Sequence, residues 1–154
     1  MTINTTAIVD ALASHAAASG HFETVNGHEA IAESPSGGLT AGIWPQVMRP
    51  SPASSGLAST SARLVFMVRI YSPALSQPQD AIDPTMLAAT DALMAAYSGD
   101  FTLGGLVRDV DLLGAGGESL SAVAGWLPWA DGSRSRVMDI TVPLVINDAW
   151  QQSP

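Results

Sequence analysis

The sequence predicts an α+β domain in which a mixed, mainly antiparallel β-sheet is packed by two α-helices. Three observations predict it. Two alanine-rich stretches, near Asn4–Ser19 and Asp83–Gly99, carry apolar residues at helical spacing. Several shorter runs alternate apolar and polar residues, as half-buried strands do. The order helix, strands, helix, strands favours hairpin neighbours over βαβ crossovers. With 154 residues and 47% of them hydrophobic, residues 1–154 are expected to form one domain with a core of its own.

In the first helix, Asn4 or Thr5 can cap the N-terminus, Ile8, Leu12 and His15 share one face, and Gly20 supplies a left-handed stop. Phe22–Val25 and His28–Ala32 flank Asn26-Gly27, a two-residue hairpin signal. Leu39–Met48 is strand-like, and Pro45 inside it predicts an edge or a bulge. Residues 49–62, rich in Pro, Ser and Gly, predict a long loop. In "RLVFMVRIYS", Leu64, Phe66, Val68 and Ile70 are expected to face the core. Arg63, Val65, Met67, Arg69 and Tyr71 then line an outer face, open to solvent or to a partner subunit.

The second helix is expected to begin with Asp83 as cap and Pro84 at its first position. Met86, Leu87, Thr90, Leu93, Met94 and Tyr97 form its apolar stripe, and Gly99 stops it. "ASGHF" and "YSGDF" suggest that both helices end on the same capping device. Leu106–Leu113 reads as a strand, Gly114–Ser119 as a loop, Ser121–Trp129 as a strand, and Asp131-Gly132 as the turn into the last one. That last strand, "SRSRVMDITVPLVINDAW", alternates strictly through Met138, Ile140, Val142, Leu144 and Ile146. Pro143 in its middle cannot donate to a ladder, so the strand is expected at the rim of its sheet, where another subunit can approach.

The composition excludes several function classes. The chain has no Cys, so disulfides, thiolate metal sites and cysteine nucleophiles are out. Fourteen carboxylates stand against six basic residues, all Arg and scattered, for a net charge of −8. Tight duplex binding needs a basic cluster, which is missing, but an acidic lining suits a passage that DNA crosses without sticking. No signal peptide or membrane-spanning segment is expected.

His15, His21 and His28 do not converge under the hairpin register, so neither a metal site nor a cofactor is expected. "GAGGES" lacks the third glycine and the following helix of a phosphate-binding loop, and Glu118-Ser119 is not a nucleophile elbow. Asp109 and Asp111 share a strand face that is expected to be solvated. No catalytic residues are assigned, and no enzyme activity is expected. Four tryptophans stand out, with Trp126 and Trp129 predicted on opposite faces of their strand and Trp150 near the chain end.

"QPQDAIDP", "TDALMAAYSGDFTLGGLVRDVDLLG" and "RVMDITVPLVINDAW" resemble the tail terminator proteins of long-tailed, non-contractile phages, the lambda-type terminators and especially those of actinobacterial hosts. The resemblance is densest from Gln77 to Trp150. It implies a structural virion protein at the head–tail junction: a hexameric ring that caps the finished tail tube, stops its polymerisation and offers a surface to head connector proteins. Its partners are then other copies of the chain, the tail tube protein and the connector proteins, while the genome passes through the lumen without specific binding. The candidate subunit interface is Arg63, Arg69, Tyr71, Trp129, Asp139 and Trp150. The alternatives are a neck or head–tail completion protein and a small-ligand-binding α+β domain.

Overall fold

The computed structural model describes residues 2–30, 37–52, 55–73 and 79–153. In chain order these form α1 (Thr5–Ala18), β1 (Thr24–Asn26), β2 (Thr40–Pro50) and β3 (Ser59–Ser72). A 3-10 turn at Gln79–Ala81 leads into α2 (Ile82–Gly99), followed by β4 (Asp109–Val110), β5 (Ser121–Pro128) and β6 (Arg134–Gln151). The strand order is β1-β2-β3-β6-β4, and β5 also pairs β6. All pairs are antiparallel except β1 with β2. The chain is thus an α+β domain: two helices packed on a mixed, mostly antiparallel, curled sheet.

The alternation in β3 and β6 sorts the core. Leu64, Phe66, Val68 and Ile70 of β3 lie beside Met138, Ile140, Val142 and Leu144 of β6. Ile8, Leu12 and Ala16 from α1, with Met86, Ala89, Leu93 and Tyr97 from α2, close this face. The two alanines are small enough to bring each helix close to the sheet. Burial of a full-sized aliphatic side chain here stabilises by about 1.5–3 kcal/mol. Tyr97, the bulkiest of the helix contributions, is fully buried and donates its hydroxyl hydrogen to Leu12 O, 3.1 Å away.

Several local expectations hold. Asn4 caps α1 by accepting the Ala7 N–H at 3.2 Å, and Gly20 takes φ +76° just beyond its end. Pro45 stands at a register shift between β2 and β3, a bulge. Asp131-Gly132 makes the turn between β5 and β6, with Gly132 at φ +89° and the Trp129 N–H bonded to Ser133 O.

Other expectations are corrected. Asn26-Gly27 makes no hairpin: neither residue has the positive φ that a type I′ turn requires. Instead β1 runs parallel to β2, Thr24 opposite Thr40 and Asn26 opposite Gly42. Of the expected return strand, Ile31 and Ala32 lie outside the described residues. The loop at 49–62 is shorter than composition suggests, because Arg49 and Pro50 still pair with Arg63 and Ala62. Leu106–Leu113 is a strand only at Asp109–Val110, since Leu103, Gly104 and Gly105 all take positive φ and turn the chain just before it.

α2 begins one residue before Asp83, and no side chain caps it. Asp83 accepts from Arg136 Nε at 2.9 Å instead. The two helix exits also differ. Gly99 remains helical with no positive φ, and Asp100 caps α2 through its N–H to Ala96 O. Leu87, assigned to the apolar stripe, is 56% exposed.

β6 is not at the rim. β3 flanks it on one side over most of its length, while β4 and β5 share the other. Pro143 is tolerated because of where that second side changes strand. Its carbonyl accepts from Asp111 N–H at 2.9 Å, and a residue's N and C=O point to the same side of an extended strand. Its missing N–H therefore faces the step between the β4 ladder, at Leu144–Val145, and the β5 ladder, which starts at Thr141. The β3 ladder loses no donor.

Candidate interaction surface

The second face of β3 is where the sequence places the partner-facing residues. Arg63, Val65, Met67, Arg69 and Tyr71 do share that face, but most of it is buried within the chain. Arg63 is 1% exposed, Val65 1%, Met67 9% and Tyr71 5%. Arg63 is therefore withdrawn from the candidate interface: its Nη1 donates to Asp111 Oδ2 at 2.8 Å and its Nη2 to the Glu118 carbonyl at 2.5 Å. Asp111, expected on a solvated face, is itself buried.

The "GAGGES" loop explains how an ion pair survives there. The N–H groups of Gly114, Ala115 and Gly116 all donate to the Asp111 carboxylate at 2.9–3.0 Å. Burial works to raise the pKa of Asp111, but these loop N–H groups and the Arg63 guanidinium outweigh it and hold the pKa below the ordinary value. Gly114, at φ +80°, has no room for a side chain, since a Cβ there falls 2.7 Å from Gly117 O. What resembled a phosphate loop cradles the chain's own carboxylate. The same loop lets the half-exposed Glu118 reach Arg49 at 3.1 Å.

Arg69 stands further along β3, opposite Asp139 of β6. It makes a two-pronged contact, Nε to Oδ1 at 2.5 Å and Nη2 to Oδ2 at 3.0 Å. That hydrogen bonding raises the pKa of Arg69 above its ordinary value. The guanidinium also lies 5.1 Å from the Trp44 ring centre, within cation–π range. Tyr71 stacks on Trp129 at 5.9 Å, and Trp129 Nε1 donates to Ser135 Oγ at 2.8 Å. Arg69, Tyr71, Trp129 and Asp139 therefore form one group, already paired internally, in which Tyr71 is buried within the chain and is not open to a partner. Trp150 is partly exposed and sits opposite Thr60, at the far end of the β3–β6 ladder from that patch.

The exposed apolar surface lies elsewhere. Met48, Leu57, Leu87, Phe101, Leu113, Val123 and Trp126 are each at least 49% exposed. Val123 and Trp126 belong to β5, which carries no charged residue and has β6 as its sole strand partner among the described residues. Trp126 lies under two guanidinium groups, Arg134 at 5.0 Å and Arg136 at 5.3 Å. The signal for this edge was present in "SAVAGWLP", an eight-residue strand without a charge, but strand order cannot be read from it.

A groove of about 350 Å³ runs between α1 and the sheet, lined by Thr5, Thr6, Val9, Asp10, Pro45, Met48, Leu64 and Phe66. Its polar groups all come from the first turns of α1, and the opposing wall is apolar. The histidines stand apart in chemistry. His15 Nε2 is 2.8 Å from Asp100 Oδ2, whereas the His28 ring contacts the Glu29 carbonyl. Among the described residues no group of His, Asp or Glu is arranged to hold a metal ion, and no helix is long and apolar enough to cross a membrane. No protein-family model matches the chain, and no curated protein matches it either.

Proposed function

We propose that the chain is a structural subunit of a phage virion, a tail terminator. It assembles into a ring that caps the tail tube, stops tube polymerisation and offers a surface to the head connector. The terminator-like segments "QPQDAIDP", "TDALMAAYSGDFTLGGLVRDVDLLG" and "RVMDITVPLVINDAW" support this identity. The structural observation that carries the assembly reading is the exposure of Met48, Leu57, Leu87, Leu113, Val123 and Trp126 on a chain of only 154 residues. Met48 borders the apolar groove wall of Pro45, Leu64 and Phe66, and apolar surface gathered in one place favours a chain that is covered by other chains. The net charge of −8 is compatible with a lumen that repels DNA instead of holding it.

The work of such a subunit is contact, not chemistry. Among the described residues several carboxylates and guanidinium groups are engaged in pairs, such as Arg63–Asp111, Arg69–Asp139 and Arg136–Asp83. In this role the protein needs no enzyme activity and no cofactor.

Adding the purified chain to polymerising tail tube protein of the same phage tests the proposal. Negative-stain images are expected to contain short tubes closed at one end by a ring, with mean length falling as the chain is added. Tubes that grow to the same length with and without the chain overturn it.

A further inference from the structure

We propose that the free subunit pairs with a second copy of itself through β5, antiparallel strand against antiparallel strand, about a two-fold axis at Ala124. This contact is independent of the terminator reading, because the contact repeated around a ring is head-to-tail and a two-fold contact is not.

The hydrogen-bond register of β5 leads to it. In an antiparallel ladder, residues that exchange both bonds with the partner alternate with residues whose N–H and C=O point away. Trp129 N–H bonds Ser133 O at 2.7 Å. Continuing that alternation along the β5–β6 register, Ser121, Val123, Gly125 and Leu127 bond to β6. Ala122, Ala124 and Trp126 therefore direct their N–H and C=O groups to the open side. Among the described residues no strand lies there. Pro128 ends the strand and offers no N–H, and Leu120 N–H is already given to Asp111 O. The open edge is thus three outward residues, bounded at both ends.

Among the described residues the other edges are poorer: at β4 the Val110 N–H is given to Phe101 O, and the β2 edge is broken up. β1 covers β2 only at Thr40–Gly42. Beyond it come Pro45, the bulge, Arg49 and Pro50, the devices by which natural edges resist pairing. Ser51 N–H bonds Ser61 O, so by alternation Met48 and Pro50 point outward there, and Pro50 has no N–H. β5 has no charge, no bulge and no interior proline.

A second β5 is the occupant that fits the open edge. With Ala124 opposite its own copy, Ala122 falls opposite Trp126 in both directions, and every outward N–H meets an outward C=O. The half-exposed indole of Trp126, which already carries Arg134 and Arg136 on its ring, then stands beside an alanine, the small neighbour that leaves it room. Val123, 68% exposed, falls opposite Gly125. The strand itself carries no charge in a chain of net charge −8, and the nearest guanidinium groups, Arg134 and Arg136 on Trp126, fall opposite Ala122 of the other copy and not opposite each other.

Sedimentation equilibrium of the full chain tests this, together with amide exchange at Ala122, Ala124 and Trp126. The wild type is expected at twice 15.9 kDa, with those three amides more protected as concentration rises. Ala124→Pro removes an N–H that β6 does not use, so the fold should persist while dimer affinity falls roughly tenfold or more. Ala124→Lys, which sets like charges face to face at the axis, covers the case in which the proline variant fails to fold. A wild type of single mass up to about 100 µM overturns the proposal. So does an oligomer that persists in either folded variant, or one in which the three amides exchange at the monomer rate. A β5 that pairs only with a strand of the tube protein counts against it in the same way. Tube capping is measured separately, so either proposal can fail without the other.

Discussion

Replacing Asp111 by alanine isolates the energetics of the buried ion pair. Arg63 has 2% of its side chain exposed and Asp111 has 8%. In the variant the guanidinium keeps the Glu118 carbonyl at 2.5 Å and the Glu118 carboxylate at 3.5 Å. The carboxylate that faces Nη1 at 2.8 Å is gone. Removing one partner of a buried pair costs about 3–5 kcal/mol, because the other charge stays desolvated. The loop N–H groups of Gly114, Ala115 and Gly116 lose their acceptor too, but they lie close enough to the surface for water to replace it. For a chain of this length each kcal/mol lowers Tm by about 2–4 °C, so the expected loss is about 6–20 °C. Urea unfolding followed by far-UV circular dichroism gives the free energy directly. Glu118→Ala is the control: its carboxylate is 45% exposed, and its loss should cost under about 1 kcal/mol. A loss below about 1 kcal/mol in Asp111→Ala refutes the picture of a dry, structural pair.

The same pair sets a pH dependence, since the folded-state pKa of Asp111 lies below its ordinary value of 3.8. The unfolded chain then binds more protons, and this contribution is present above pH 3.8 and lost as pH falls through the lower folded value; Asp111→Asn should flatten that acid limb of the stability curve. Arg69→Glu sets two carboxylates opposite each other on β3 and β6, so it should weaken the monomer by roughly 1–3 kcal/mol in urea unfolding, and Asp139→Arg in the same chain should recover part of the loss. Gly114→Ala forces a side chain to φ +80° against Gly117 O and should cost at least about 1–2 kcal/mol, whereas Gly56→Ala, with open space around it, should be near neutral. Tyr97→Phe gives up the bond to Leu12 O and should cost about 0.5–1.5 kcal/mol. Burial raises the Tyr97 phenol, so its phenolate absorbance is expected only as the chain unfolds at alkaline pH.

Periodicity is a property of one chain segment at a time, and what it encodes was legible. The alternation of Leu64, Phe66, Val68 and Ile70, and of Met138, Ile140, Val142 and Leu144, identified two strands and their core faces. Helical spacing found Ile8 and Leu12 in α1, and Met86, Leu93 and Tyr97 in α2. Asn4, Gly20, Pro45 and Asp131-Gly132 act through their own backbone chemistry, so their caps, bulge and turn could be placed without neighbours. The α+β class follows from these elements and their order.

Which strand lies beside which is settled by contacts between residues far apart in sequence, and no local pattern carries that. The central position of β6 depends on β3, β4 and β5 sharing its two sides, and Pro143 reads as an edge signal until its N is found facing the step between β4 and β5. Asn26-Gly27 favours a hairpin locally, yet β1 finds its partner in β2 sixteen residues on. The outer face of β3 looks solvent-ready because it alternates Arg63 and Arg69 with Val65, Met67 and Tyr71. Only the fold brings the Asp111 carboxylate and its glycine loop onto Arg63, and Asp139 onto Arg69. A charge's cost or value depends on what removes water from it and what then faces it, and both are decided in three dimensions.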